Sequence, residues 1–180
     1  MKLRHLFFAC SGVFVMMFSL LLLVVIVFSD EEDGGSGGNL IYGGVSVSQE
    51  VLAHKPMLEK YAREYGIEEY LNVLLAIIQV ESGGTLEDVM QSSESLGLPP
   101  NSLSTEESIK QGCKYFSELL AAAEAKGCDL NSVVQSYNYG GGFLDYVAGR
   151  GKKYTFELAE SFARDKSGGK KVTYTNPVAV

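Results

Sequence analysis

The chain has 180 residues, of which 46% are hydrophobic and 21% charged, and its formal net charge is −7 at pH 7. This composition is typical of a globular domain with accessory segments, not of a disordered chain. The acidic balance argues against nucleic acid as a partner, because binding nucleic acid needs a basic face that neutralises phosphates. Neutral glycans, peptides and proteins remain as partners, or the charge only keeps the domain soluble.

The N-terminal segment predicts a transmembrane helix. Residues 6–28 carry no charged side chain, and at about 1.5 Å per residue they reach across a hydrocarbon core of roughly 30 Å. Lys2 and Arg4 precede this run and the acidic stretch "SDEED" at 29–33 follows it, so residues 1–5 are expected in the cytoplasm and the rest on the cell-wall side. The apolar run is longer than that of a signal peptide and no A-x-A-like site follows it, which favours an uncleaved signal anchor in the cell membrane.

A flexible linker and then a helical domain are expected after the anchor. Residues 29–47 are acidic and rich in Gly and Ser, which is typical of a flexible linker. The folded domain is predicted over residues 48–179. Its first helix is expected from Ser48 to Tyr65 with a kink at Pro56, and its second over residues 68–81.

The remaining pattern predicts further helices. Ser104 and Glu107 fit a capping box that opens a third helix, and Gly127 ends it. Asp129 caps a fourth helix, and two shorter helices are expected over residues 143–147 and 155–165. Because no long run alternates apolar and polar residues, the predicted fold class is all-α.

The cysteines and histidines predict neither a disulfide nor a metal site. Cys113 and Cys128 bracket the third helix, and fifteen residues place them roughly 22 Å apart along its axis, beyond the 7 Å limit for bridged Cα atoms. Two free thiols are therefore expected. The two histidines, His5 and His54, lack clustered ligands, so neither a metal nor another cofactor is predicted.

Glu81 is the candidate general acid. Leu74, Ile77, Ile78 and Glu81 fall at i, i+3, i+4 and i+7, which places the carboxyl group on the apolar face of the second helix. Burial and the negative end of the helix both raise the pKa of a carboxyl group, as a general acid near neutral pH requires. Gly83 and Gly84 then permit a tight turn and close approach of a ligand. The plainer alternative is a helix-terminal Glu that reaches water.

Three motifs in order resemble those of goose-type lysozymes and soluble lytic transglycosylases. They are "ES" at 81–82, "VMQ" at 89–91 and "SYNYGGG" at 136–142. A closer resemblance is to the membrane-anchored bacterial lysozyme-like domain of Gram-positive conjugative elements, which often precedes an NlpC-type peptidase domain. The stretches "ESGG", "DVMQSSES", "SYNYGGGFLDYV" and "VTYTNPVA" carry it, over residues 48–179.

The resemblance implies a lysozyme-like helical fold and cleavage of the β-1,4 bond between N-acetylmuramic acid and N-acetylglucosamine in peptidoglycan. Glu81 is then the acid that protonates the leaving oxygen. If water completes the reaction the enzyme is a muramidase, and if the muramic 6-hydroxyl does so it is a lytic transglycosylase. Asp88 and Val89 stand where transglycosylases have Gly-Leu, so Asp88 is a candidate second carboxylate that positions water. The alternative for Asp88 is capping a turn. Muramidase is preferred.

The resemblance also predicts substrate contacts. The residues expected to bind glycan are Ser82, Gln91, Tyr137, Asn138 and Tyr139. The amide of Gln91 suits acetamido and hydroxyl groups, and the Tyr137 phenol is expected to contact Glu81. Tyr139 is the weakest of the five, since aromatic residues also pack small cores, and Glu87 and Glu94 are weaker acid candidates than Asp88.

Other classes of function stay open. A tethered domain that binds glycan without cleaving it, a scaffold for a secretion channel, and a membrane-bound regulator are the alternatives to an enzyme. If the chain is an enzyme, we expect it to cut glycan strands without a second peptidase reaction, and to open the wall locally for a conjugation or secretion machine.

Overall fold

The computed structural model describes residues 40–42 and 45–168. The predicted membrane helix over residues 6–28 lies outside the described residues, as does the C-terminal motif "VTYTNPVA". Within the described ranges, no helix is both long enough and apolar enough to cross a membrane.

Helices make up most of the described part, which contains seven α-helices, two 3₁₀ helices and one hairpin. In chain order they are β1 (Leu40–Tyr42), β2 (Val45–Val47), α1 (Gln49–Ala53), α2 (Lys55–Glu64), the 3₁₀ helix Glu68–Tyr70, α3 (Leu71–Glu81), the 3₁₀ helix Ser92–Leu96, α4 (Thr105–Lys126), α5 (Leu130–Tyr139), α6 (Gly142–Ala148) and α7 (Phe156–Lys166). The long helix α4 packs against α2, α5, α6 and the second 3₁₀ helix. It therefore connects the elements that surround the site described below.

The hairpin is the first difference from the sequence-based expectation. Strands β1 and β2 are antiparallel, with Leu40 opposite Val47, in a stretch expected to be linker in an all-α protein. Val47 is fully buried, and β2 packs on α3. Three residues per strand are too few to show the alternation of apolar and polar side chains that predicts a strand. The Gly-rich sequence around them is also typical of a linker.

Helix α2 begins where a kink was expected. The predicted helix over residues 48–65 is divided at His54, and Pro56 lies in the first turn of α2. A proline in that turn lacks only an N–H that has no intrahelical partner. Pro56 therefore starts a new helix instead of bending an existing one. The Ser48 hydroxyl accepts a hydrogen bond from Val51 N, as expected of a helix cap.

The predicted boundaries of the longer helices are confirmed. Ser104 and Glu107 form the capping box of α4, with a Ser104 N to Glu107 Oε2 distance of 3.0 Å. Gly127 ends this helix in the left-handed region at φ 70°. Asp129 caps α5 by accepting from Ser132 N at 3.0 Å. The structure describes Cys113 and Cys128 as free thiols.

The core is built around α3. All residues from Val73 to Ile78 are buried, and helices α1, α2 and strand β2 pack on this helix. A smaller cluster of Phe143, Val147, Ala159 and Phe162 joins α6 to α7. Helix α3 therefore runs through the interior and delivers its last residue, Glu81, to one edge of the core.

Gly84 contacts protein backbone at the end of α3, where sequence analysis expected room for a ligand. It lies at φ +77°, and a Cβ there would be 2.7 Å from both Glu50 C and Val51 N of α1. Two hydrogen bonds also join the ends of α1 to this region: Ser48 N donates to Gln79 Oε1 at 2.8 Å, and His54 Nε2 lies 2.9 Å from Gly84 O. The glycine is thus required so that α1 can cover the end of α3.

Alanine substitutions at Gly83 and Gly84 should distinguish backbone strain from steric overlap with α1. Gly83→Ala has a left-handed φ of +60° but only one distant neighbour, so we expect a loss of about 1 kcal/mol in the free energy of unfolding. Gly84→Ala adds overlap with backbone and should lose roughly 1–3 kcal/mol more. Equilibrium urea unfolding of both variants measures the difference. Equal losses would contradict the proposed backbone contact.

Candidate active site

A cleft of about 240 Å³ opens at the end of α3. It is bounded by the end of α3, the second 3₁₀ helix, α4 and the end of α5. Five of the seven predicted site residues line it together: Glu81, Gln91, Tyr137, Asn138 and Tyr139. Residues not predicted, or ranked low, complete the wall: Ser92, Glu94, Ser95, Tyr115 and Gly140. Ser82 and Asp88 are not part of this wall.

Glu81 has the electrostatic character of a general acid. It is half-buried, since its side chain opens on the cleft while protein atoms surround the rest of it. Burial raises the pKa of Glu81 from 4.5 to about 8, and a hydrogen bond from the Asn138 side chain opposes this rise. The negative charges of Glu94 and Asp88 raise the pKa further. The carboxyl group is therefore protonated at neutral pH.

Ser82 forms hydrogen bonds within the protein, behind the cleft. Its hydroxyl donates to Val89 O at 2.7 Å and accepts from Gly84 N at 3.0 Å. It thereby ties the end of α3 to the loop that contains Gln91. The predicted contact of Ser82 with glycan stays a prediction, and the observed bonds give its hydroxyl a role in the fold.

Asp88 is fully buried and caps the second 3₁₀ helix. Its carboxylate accepts from Ser92 N at 2.9 Å, from Ser93 N at 3.2 Å and from Ser108 Oγ at 2.6 Å. Three donors around this buried carboxylate fix its position. This is the capping alternative considered for Asp88, and the carboxylate that shares the cleft with Glu81 belongs to Glu94.

Gln91 presents an amide oxygen to the cleft. Its Nε2 donates to Asp88 O and to Asn101 Oδ1, both at 2.8 Å. Because a backbone carbonyl can only accept, this pairing fixes which end of the amide is nitrogen. No described residue donates to Gln91 Oε1, which leaves it available as an acceptor. The residue is non-glycine at φ 46°, a strained conformation of the kind found at functional sites.

The three residues at the end of α5 have different surroundings. The Tyr137 phenol donates to Met90 O at 3.1 Å, where sequence analysis expected contact with Glu81. Asn138 is the residue whose side chain bonds Glu81. Tyr139 lines the cleft and also stacks on Phe162 of the smaller core, with ring centroids 5.6 Å apart.

Sequence reasoning missed Tyr115, although α4 carried a signal. Ser108, Gly112 and Tyr115 fall at i, i+4 and i+7, so they share one face. A Cβ on Gly112 would lie 2.5 Å from Met90 Sδ and 2.8 Å from the Tyr137 hydroxyl. Small residues followed by an aromatic one at helical spacing thus mark where α4 faces the cleft. No group of three or more His, Cys, Asp or Glu side chains able to hold a metal occurs in the described part of the chain.

The sequence model of the Lysozyme-like family matches residues 48–180. The chain belongs to this family. The expected lysozyme-like helical fold is therefore confirmed, while membrane anchoring and the conjugative-element context remain predictions.

Relatives with known names share this domain. The chain is 44% identical over 124 residues, 68% of its length, to the bifunctional muramidase/DL-endopeptidase CwlT of Bacillus subtilis, and it spans 37% of that protein. It is 37% identical to the uncharacterized membrane protein YocA of the same organism and spans 54% of it. A pneumococcal vaccine antigen A homolog of Streptococcus pyogenes serotype M3 is 36% identical over 140 residues, which are 73% of this chain and 70% of the relative.

A solved structure shows the same fold. A protein of Staphylococcus aureus subsp. aureus Mu50, described as similar to lipoprotein of the NLP/P60 family, is 73% identical with a TM-score of 0.73. The match covers 76% of this chain and 46% of that one. The lysozyme-like domain is therefore shared with proteins that are longer than the matched region.

The raised pKa of Glu81 predicts that stability falls as pH rises. In the unfolded chain the carboxyl ionises near 4.5, and in the folded chain near 8, so the folded state holds an extra proton between these values. The contribution of this extra proton to the free energy of unfolding is fully present below pH 4.5 and is lost as pH rises through about 8. Glu81→Gln has no such pH dependence. The free energy of unfolding of Glu81→Gln relative to wild type should therefore increase by roughly 1–3 kcal/mol between pH 4.5 and 8.5, a range reduced because one side of the carboxyl group is open to solvent.

Urea unfolding at several pH values measures this difference. Glu87→Gln, the same change at an exposed position outside the cleft, is the matched control and should track wild type. A difference between Glu81→Gln and wild type that stays constant with pH would contradict the raised pKa.

Proposed function

We propose that this chain is a peptidoglycan glycan-strand hydrolase, an N-acetylmuramidase that cleaves the β-1,4 bond between N-acetylmuramic acid and N-acetylglucosamine. The observation that carries the proposal is the carboxyl group of Glu81, whose pKa is raised to about 8 beside an open cleft. A carboxyl group that stays protonated at neutral pH is what general-acid cleavage of a glycosidic bond requires.

Glu81 performs the first chemical step. It donates its proton to the glycosidic oxygen while the bond from that oxygen to C1 of the muramic residue breaks. Positive charge then develops on the sugar as an oxocarbenium-like transition state. Asp88 behind the cleft and Glu94 in its wall both act electrostatically on the site of Glu81, and negative potential there stabilises this positive charge.

The lining groups suit an acetylated glycan. Gln91 Oε1 is positioned to accept a hydrogen bond from an acetamido N–H or a sugar hydroxyl. The rings of Tyr115 and Tyr139 offer apolar surface to a sugar ring, and Gly140 lets the ligand approach the backbone at the end of α5. Sites of this kind combine aromatic surface with a few fixed polar groups.

The substrate class is supported by the family and by the relative CwlT, which is named a muramidase and DL-endopeptidase. Because the chain spans 37% of CwlT, the glycan-cleaving activity is proposed for this chain and the peptidase activity is not.

We further propose that residues 6–28 anchor the domain in the cell membrane, with the cleft on the cell-wall side. The charge-free length of this segment and the basic residues before it support the proposal, and so does the name of the relative YocA, an uncharacterized membrane protein. A local gap in the wall for a conjugation or secretion machine is the role that the sequence motifs suggest.

Mass spectrometry of the soluble fragments released from purified peptidoglycan tests the function. The full-length chain should release fragments with reducing muramic ends. Glu81→Gln should lower the rate at least about 100-fold, because it removes the proton donor and preserves shape, while Glu87→Gln should act at the wild-type rate.

Other products would change the assignment. Fragments with 1,6-anhydro-muramic ends would identify a lytic transglycosylase. Binding of peptidoglycan without any release by wild type would identify a glycan-binding domain and contradict the hydrolase.

A further inference from the structure

Helix α5 carries a fully buried amide side chain that no described residue bonds. Gln135 is 0% exposed, and neither its Nε2 nor its Oε1 has a hydrogen-bond partner among the described residues. Leaving a buried polar group unpaired is costly, so nearly all such groups in folded proteins bond either protein or ordered water. The amide of Gln135 therefore requires a partner other than the described side chains and backbone.

Further polar atoms of the same kind lie beside Gln135. Asn131 Oδ1, four residues before it, and the Tyr139 hydroxyl, four residues after it, are buried and have no partner in the described part of the chain. Residues spaced by four lie on the same face of a helix, about 5–6 Å apart. The Tyr154 hydroxyl, which likewise has no described partner, is close to this face: burial raises the pKa of Tyr139, and the neighbouring Tyr154 raises it further.

The chemistry of these atoms identifies water as their ligand. Asn131 Oδ1 and Gln135 Oε1 can only accept hydrogen bonds, whereas Gln135 Nε2 can only donate and a phenol can do either. A metal cation binds acceptors only and an anion binds donors only, so neither fits a mixed set without a charged side chain. Water donates and accepts at once, and buried waters typically make about three hydrogen bonds to otherwise unpaired polar groups.

Asn138 connects this face of α5 with the candidate general acid. It lies three residues after Gln135, and its side chain hydrogen-bonds Glu81. Four other ionisable side chains share the cleft with Glu81 or act on it from the neighbouring elements: Asp88, Glu94, Tyr115 and Tyr137. Among the described groups that shift the pKa of Glu81, the Asn138 amide is the one that lowers it. The position of this amide therefore sets how readily Glu81 ionises.

We propose that Gln135 and Asn131 bind ordered water inside the domain, and that this water site holds the Asn138 amide in position against Glu81. Gln135 is then a positioning residue that acts on the acid through Asn138, one turn further along α5. The water site itself stands on burial and on hydrogen-bonding capacity. Its importance for catalysis rests on the proposed function, in which Glu81 is the proton donor.

Replacement of Gln135 by methionine tests the bound water in the full-length chain. Methionine has a similar length and no amide, so Gln135→Met leaves the water and Asn131 with fewer hydrogen bonds, and the midpoint of urea unfolding should fall. If the amide of Gln135 is unpaired in wild type, its removal is favourable and the midpoint should rise, which would overturn the water site. In nitrogen-15-labelled wild type, the side-chain amide signal that is missing from Gln135→Met should also show cross-relaxation with water. A signal without this cross-relaxation would overturn the water site as well.

The carbon-13 titration of the Glu81 carboxyl group tests the positioning role. Gln135→Met should move its midpoint to higher pH by about 0.5–1, because the Asn138 bond that lowers the pKa of Glu81 is weakened. Asn138→Ala should cause a similar shift, and adding Gln135→Met to Asn138→Ala should cause no further one. Ser136→Ala is the matched control. It removes another fully buried polar group of α5, a hydroxyl that bonds Ser132 O at 2.6 Å, and should leave the Glu81 midpoint at its wild-type value.

The outcomes separate this inference from the proposed function. If wild type releases no peptidoglycan fragments, the hydrolase proposal fails while the titration still decides the role of Gln135. If wild type is a muramidase, activity of Gln135→Met should persist to higher pH than that of wild type. An unchanged Glu81 midpoint in Gln135→Met, or a further shift in the double variant, would overturn the positioning role. If Gln135→Met does not fold, Asn131→Leu removes the half-buried end of the same water site, and an unchanged Glu81 midpoint in that variant would overturn the role equally.

Discussion

Burial of α3 along its length is the constraint on which the site depends. Six consecutive buried residues, Val73–Ile78, carry the helix through the core, so that its last residue emerges at the cleft with little water around it. Helix α1 closes over the end of α3 because Gly84 has no side chain. The same packing that stabilises the domain therefore raises the pKa of Glu81, and a carboxyl group that is costly to ionise suits the proposed role of proton donor.

A buried polar network does the complementary work of shaping the cleft wall. Asp88 gathers two backbone N–H groups and the Ser108 hydroxyl, and its own carbonyl accepts from Gln91. Each of these groups has a hydrogen-bonding partner within the network. Buried polar groups that are paired in this way can fix a local structure without a large loss of stability. One residue thereby sets the positions of both Gln91 and the short helix of Glu94. Its charge also acts on Glu81, so shape and electrostatics of the cleft share an origin.

Features that depend on local spacing could be predicted, and those that depend on distant partners could not. The period of α3 located Glu81 on the apolar face, and the box of Ser104 with Glu107 located the start of α4. The role of Asp88 depends on Ser108, twenty positions away in sequence. Glu94 looked like one more acid in a loop, because its place in the wall arises only when the capped helix docks on α4. The hairpin of β1 and β2 was missed since its strands are three residues long and its second strand, β2, is stabilised by packing on α3.

The proposed chemistry requires that Glu81 is protonated at neutral pH. Carbon-13 NMR of the chain labelled at the glutamate side-chain carboxyl carbon reports each titration directly, and the resonance missing from Glu81→Gln identifies the signal. We expect a midpoint of about 8 for this resonance. A midpoint near the ordinary value of 4.5 would mean that the carboxyl group is ionised at neutral pH, and would contradict the general-acid role.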